Sequence, residues 1–286
     1  FREYRNVVGD SPLNLQSVSL MLNAYMLDGE STYREWIESY LDAWMQRTRR
    51  NGGIVPSHID LEGRIGGRSG AWYSGVYGWG FSPVVPQTGD REDRNRVPRA
   101  IVAFMNAYLM SGDDCYLQLW RSQNDSINEH ARIIDGVPHA PTMYGQRPDG
   151  HTGWYSYKPG LYRANGLEIW YLSMRRADLE RADVDHPWIH YLHGRNARYP
   201  EQALNEALET VRTRMDYLLN KDRTTPKTRL ADALLGYNPA VVTPLIHLMC
   251  GGIHIARPAW SRTSPSQGGA PLYARLRYFD PVRRRA

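Results

Sequence analysis

One stretch of this chain returns 83 residues later. Asn23-Ala24-Tyr25-Met26-Leu27-Asp28-Gly29-Glu30-Ser31-Thr32-Tyr33 aligns with Asn106-Ala107-Tyr108-Leu109-Met110-Ser111-Gly112-Asp113-Asp114-Cys115-Tyr116, sharing Asn, Ala, Tyr, Gly and Tyr. Each copy reads as an apolar helix, a glycine that ends it in a short turn, and an amphipathic helix bearing Tyr and Trp. That is the pattern of an αα-hairpin. The first pairs residues 12–28 with 31–50, where Tyr33, Ile37, Tyr40, Leu41 and Trp44 recur at helical spacing, and the second pairs 96–111 with 114–134. A weaker third copy runs from 167–172 to a helix over 200–221, with Leu204, Leu208, Val211, Met215 and Leu218 on one face. A last apolar helix covers 239–250, begun by Asn238 as cap and Pro239 as first helical residue. Helix pairs in series predict an all-α protein, either an open solenoid or a closed toroid.

The connections between the pairs are long, roughly 45 residues over 51–95 and roughly 30 after the second pair. Long ordered connections in compact proteins usually carry function. They echo each other: Ile54-Val55-Pro56-Ser57-His58 resembles Gly136-Val137-Pro138-His139, and Trp72-Tyr73 resembles Trp154-Tyr155. Loops that repeat with the helices should emerge on one face and converge there. In the first, His58-Ile59-Asp60-Leu61-Glu62 places an imidazole and two carboxylates at alternating positions, on one side if the segment is extended, and solvated if it is a turn. Trp72, Tyr73, Tyr77 and Trp79 follow among glycines, as a sugar-stacking surface or as a buried wedge. The second loop carries Tyr144, then Asp149, His151, Trp154, Tyr155 and Tyr157, an acid, a base and stacking rings in one stretch. Arg163 and Asn165 lead into the third inner helix, and Tyr237 lies on the same loop face by the repeat. Asp149, His151, Tyr155, His58, Asp60 and Glu62 are the candidates for catalysis; the other rings with Arg163 and Asn165 are candidates for binding.

Composition narrows the partners. Of the aromatics 19 are Tyr, 9 Trp and only 4 Phe, a bias toward rings with a polar handle that suits a wet cleft. All but three of the 35 basic residues are arginine and the formal net charge is +5, which suits carboxylate or sulfate ligands, although a GC-rich genome produces the same bias. Only Lys158, Lys221 and Lys227 are lysine, and no dense basic-aromatic patch marks a nucleic-acid module. No apolar run approaches the ~18 residues of a membrane span. Two cysteines, Cys115 and Cys250, make no disulfide framework. His186, His190 and His193 have nominal metal-ligand spacing, but Pro187 and the His193-Gly194 ending favour a short connecting helix, so no metal or cofactor is expected. Asn124-Asp125-Ser126 matches a glycosylation sequon inside a predicted helix.

Inner helix, glycine turn, Tyr/Trp-bearing outer helix and a long Gly-, Trp- and Tyr-rich loop together resemble the (α/α)n toroids of glycoside hydrolases and polysaccharide lyases. The resemblance covers most of residues 12–255. It implies an (α/α)6-type toroid domain over 1–260, incomplete in its helix count, and an extended, strand-like tail over 261–286 that begins a further domain of a longer chain. It also implies an enzyme that breaks glycosidic linkages in an acidic glycan, periplasmic or secreted if glycan-degrading. Elimination needs a neutraliser for the carboxylate, a base and an acid, whereas hydrolysis needs two carboxylates; both inventories are present. A non-catalytic helical-repeat binding module and a toroidal dehydratase or isomerase are the competing readings.

Overall fold

A computed structural model describes residues 8–84, 89–147, 149–182, 184–221, 223 and 225. They belong to two compact units, one made of residues up to 83 together with 91–165, the other of 84–90 and residues from 166 onward.

The first unit begins with two helix hairpins. Helices α1 (Val18–Asp28) and α2 (Ser31–Arg50) form one, α3 (Ile101–Ser111) and α4 (Cys115–Asn128) the other. Gly29 and Gly112 end α1 and α3 in the left-handed conformation, each donating its N–H to a tyrosine carbonyl four residues back, Tyr25 at 2.9 Å and Tyr108 at 2.7 Å. Glycine takes this conformation without the Cβ penalty, which is why it recurs at the repeat spacing. On α2 the buried positions Ile37, Leu41, Trp44, Met45 and Thr48 form one stripe, and Arg47, Arg49 and Arg50 complement the negative end of the helix dipole. Helix α3 is buried almost throughout; Phe104 meets Trp120 of α4 edge-on at 6.0 Å, and Asn106 donates to Ser19 Oγ of α1 at 3.0 Å.

The chain is not the all-α toroid that the repeat and the resemblance predict. Helix α4 stops at Asn128, and the residues beyond it enter a three-stranded antiparallel sheet, β1 (Arg132–Ile134), β2 (Val137–Gln146) and β3 (Thr152–Pro159), in the order β1-β2-β3. The cause is local. Asp135 and Gly136 sit at φ 50° and 75°, the two-residue mirror-image turn whose twist matches that of paired strands, and it sets Ile134 opposite Val137. In the second hairpin Tyr144 faces Trp154 and Met143 faces Tyr155 across the ladder. Ser156, at φ 58°, interrupts the pairing, and Thr142 Oγ1 donates to its carbonyl at 2.8 Å. Helical periodicity carried through 114–134 misses this Asp-Gly signal.

The second unit holds α5 (Gly166–Ser173), α6 (Arg176–Arg181), α7 (Pro187–Leu192) and α8 (Tyr199–Asp216), followed by a short π-turn at Tyr217–Lys221. Trp170, Ala182 and Ile189 form its small core, with Leu167, Tyr171, Leu179, Tyr191 and Tyr199 against them. Gly166 lets α5 approach α6, since a Cβ there would stand 3.0 Å from the Arg181 carbonyl oxygen. The sequence-predicted third hairpin is thus four helices, the first three short. The apolar helix over 239–250, the tail over 261–286 and Tyr237 lie outside the described residues. Among the described residues no helix is long and apolar enough to cross a membrane.

Candidate functional site

The 51–83 segment is pinned before any chemistry is arranged on it. Ser57, fully buried, donates its N–H to the Trp72 carbonyl at 2.7 Å and accepts from the Trp79 N–H on its hydroxyl at 2.8 Å. Gly75 and Gly78 lie so close that a Cβ on either would collide with Ser57. The Trp79 indole N–H donates to the Val55 carbonyl at 2.9 Å, and the Val55 N–H donates to Gln123 Oε1 of α4 at 2.9 Å. Rings from the two segments then meet. Trp72 lies 4.6 Å from Tyr144, Tyr73 meets Tyr144 edge-on at 5.2 Å, Trp154 meets Trp79 edge-on at 5.5 Å, and His130 stacks on Trp154 at 5.3 Å.

Trp79 is fully buried and belongs to the wedge; Trp72, Tyr73, Tyr144 and Trp154 are half-buried along its edge. Tyr77 turns aside to meet Phe81 edge-on at 5.0 Å, and the Arg132 guanidinium covers the Tyr157 ring at 4.3 Å.

The proposed acid–base groups separate into three places. His58 is buried at 2% exposure, and its backbone carbonyl accepts the Gly66 N–H at 2.9 Å. Asp60 closes its own turn: its carboxylate accepts the backbone N–H groups of Glu62 and Arg64 at 3.0 and 2.7 Å and pairs with the Arg64 guanidinium at 2.8 Å. Burial pushes the Asp60 pKa up, but the Arg64 and Glu62 bonds outweigh it and hold the group below the ordinary carboxylate range. Glu62 lies in the exposed turn, 3.1 Å from Arg64. The segment is therefore extended through Asp60 and turned beyond it. Asp149 and His151 occupy the exposed tip of the β2–β3 hairpin, where the Asp149 carboxylate accepts the His151 N–H at 3.0 Å and pairs with Arg147 at 2.6 Å. These bonds make Asp149 a turn former.

Burial pushes the His58 pKa down, against the carboxylates of Asp60 and Asp10. The imidazole is neutral in the folded chain and protonates more readily in the unfolded one. Its stabilising contribution is therefore complete above the unfolded value of about 6.5 and is lost as pH falls through that value toward the lower folded one. Urea titrations at about pH 7 and about pH 5 should give a stability difference in the wild type that shrinks in His58→Gln. An equal difference in both proteins would show that His58 does not carry the effect.

Tyr155 does find chemistry around it. Its hydroxyl lies 3.4 Å from Ser82 Oγ, which in turn donates a short hydrogen bond to the Asp93 carboxylate. Burial chiefly raises the phenol's pKa; Ser82 and Arg91 pull it down and Asp93 pushes it up, so the proton stays on at neutral pH. Asp93 stands at the edge of a cleft of about 410 Å³, whose other polar groups include Asn95, Thr142, Lys158 and Arg163. The far wall is held by α4. Asn128 donates to the Tyr162 carbonyl at 3.0 Å and accepts the Tyr162 N–H at 2.6 Å, while Asn124 donates to the Ala164 carbonyl at 2.8 Å. Asn124 is thus a buried strut within α4. Asn95 spans the near wall, donating to the Thr142 carbonyl at 3.3 Å and accepting the Val97 N–H at 3.0 Å. Asn165 ends this segment at φ 60°, its amide oxygen buried without a hydrogen-bond partner among the described residues.

Sequence reading missed Ser82, Asp93, Asn95 and Lys158. The available signals were the charged run Asp90–Arg96 inside an otherwise Gly- and aromatic-rich loop, and one of only three lysines placed before Pro159-Gly160. Elsewhere, His193 stacks on Trp170 at 6.4 Å and His190 lies 3.9 Å from Asp185, and among the described residues no three His, Cys, Asp or Glu side chains group as metal ligands.

Fold and cleft define a class: paired helix hairpins that lead into a small antiparallel sheet, with a mixed-charge cleft against that sheet. The chain belongs to the family described as domain of unknown function DUF8034, whose model matches residues 2–184 and 180–246. No curated protein and no solved structure matches it.

Proposed function

We propose that the protein breaks glycosidic linkages in an acidic glycan, uronate-containing or sulfated, at the cleft beside β2 and β3. The observation that supports this reading is the composition of the cleft: Lys158 and Arg163 offer positive charge to a carboxylate or sulfate, while Asp93, on the same cleft, has Ser82 and the Tyr155 phenol behind it. Lys158 is exposed and lines this cleft. A volume near 410 Å³ lies in the range of small-ligand sites, about 300–1,000 Å³.

Incubation of the purified full chain with pectate, alginate, hyaluronan, chondroitin sulfate and a neutral glucan, followed by a reducing-end assay, tests the proposal. New ends from one or more acidic polymers and none from the neutral glucan are expected. A folded sample that releases no ends from any acidic polymer would overturn it.

A further inference from the structure

Resting on that reading, we propose that the cleft selects a glycan whose acidic groups stand on alternate sugars and rejects one that carries an acid on every sugar. Three charged side chains line the cleft among the described residues, and they divide by segment. Residues 158–164 bring Lys158 and Arg163 to the lining, and residues 93–98 bring Asp93 and Asn95. Both segments are held. Asn128 bonds the Tyr162 backbone at 2.6 and 3.0 Å and Asn124 bonds the Ala164 carbonyl at 2.8 Å, so Arg163 lies between two anchored residues. Lys158 pairs across the sheet with Ala140, which is buried and also on the lining. On the other segment the Arg94 N–H donates to the Phe81 carbonyl at 2.8 Å, and Asn95 donates to the Thr142 carbonyl at 3.3 Å. Ser82 Oγ donates to Asp93 Oδ1 and so restricts the rotation of that carboxylate.

A cleft of about 410 Å³ holds roughly two sugar rings. One acidic ring satisfies the cations. Its neighbour then meets Asp93, whose carboxylate accepts hydrogen bonds from hydroxyl or amide N–H groups and repels a second carboxylate or sulfate. Neighbouring sugars in an extended glycan are turned over relative to one another, so a polymer with an acid on every ring presents negative charge to both segments. An alternating polymer presents it to the cations and offers neutral donors to Asp93. Plain attraction argues the other way, because a chain with a formal net charge of +5 is drawn more strongly to the polymer of higher charge density. Asp93 therefore sets a preference that net charge alone would reverse, and experiment can separate the two causes.

Affinity electrophoresis of the full chain tests this without requiring turnover. The gels are cast with hyaluronan, in which every second sugar is a uronate, or with polymannuronate, in which every sugar is one. At matched uronate concentration the wild type should bind hyaluronan about fivefold to tenfold more tightly, a modest ratio because exposed charges are screened by water and salt. Asp93→Asn removes the charge but keeps an acceptor oxygen for Ser82, so it should raise the affinity for polymannuronate and close the gap. A gain of binding of this kind is not a symptom of misfolding. Lys158→Ala should weaken retardation by both polymers, and Lys158→Arg should restore it. Polymannuronate bound as tightly as hyaluronan by the wild type, a ratio unmoved in Asp93→Asn, or retardation by neither polymer would overturn the selectivity. Reducing ends read in parallel keep the two proposals apart. A preference for hyaluronan with no new ends from any acidic polymer would overturn cleavage and leave the selectivity standing; equal cleavage of both polymers would overturn the selectivity alone.

Discussion

Replacing Trp79 with alanine should lower the unfolding free energy by about 3–5 kcal/mol, the range for truncating a fully buried aromatic side chain. Trp79 is 0% exposed, stands edge-on to Trp154 at 5.5 Å, and spends its indole N–H on the Val55 carbonyl at 2.9 Å. Two losses therefore add: a cavity where loop and sheet meet, and a buried carbonyl left without its donor. Trp79→Phe helps to separate them, because it keeps a ring in the wedge, leaves a smaller cavity and loses the hydrogen bond, and it should cost less than Trp79→Ala, about 1–3 kcal/mol. Trp72→Ala, at the half-buried edge of the same cluster, should cost less than Trp79→Ala. Urea denaturation followed by circular dichroism measures all three. Equal midpoints for Trp79→Ala and the wild type would mean that the wedge does not hold the 51–83 segment in place.

A second large effect is expected at Asp10. Its carboxylate gathers four donors: Tyr40 Oη at 2.7 Å, Trp44 Nε1 at 2.9 Å, the Ser11 N–H at 2.8 Å and Asn14 Nδ2 at 2.9 Å. Trp44 is 1% exposed, so its N–H has no access to water as a substitute. Asp10→Ala should cost about 2–4 kcal/mol, since bonds to a charged acceptor are worth about 1.5–3 kcal/mol and a stranded buried donor adds a penalty. The backbone pairing of Asp10 with Ile59, at 2.7 and 2.9 Å, survives the substitution and limits the damage. Asp10→Asn should fall in between, because a carboxamide offers one acceptor oxygen where the carboxylate offers two. Thermal unfolding of the three proteins gives the order; an alanine variant as stable as the wild type would remove Asp10 from the framework.

These expectations divide between what was readable in advance and what was not. The first two hairpins were legible because their determinants are local: Gly29 and Gly112 cap within four residues, and the α2 stripe repeats within each turn. The sheet was missed although its signal is also local. Asp135-Gly136 closes a strand turn seven residues beyond the end of α4, directly after the 114–134 span over which the helical period is read. The aromatic residues of both loops were identified, and their rings do meet, but the division of Trp79 into the core and Trp72 onto its edge depends on what packs above each.

The acid–base candidates fared differently for a physical reason. A carboxylate that lies two to four residues from an arginine and an open backbone N–H is captured by them, as Asp60 is by Arg64 and Asp149 by Arg147. Sequence spacing displays such groups prominently and hides that they are already paired. Asp93, by contrast, takes Ser82 as its partner from 11 residues away, and Ser82 in turn meets Tyr155 from 73 residues away.

The sequence by itself determined the helix pairs, the glycines that turn them and the excess of Tyr and Trp, because hydrogen bonds and caps that close within a turn need no distant partner. Only the tertiary structure decided which carboxylate faces the cleft, which phenol stands behind it and which ring is sealed away. Each of those outcomes requires the chain to close long loops, and the closure is directed by Ser57, Asn124 and Asn128, whose roles are visible only once their partners are in place.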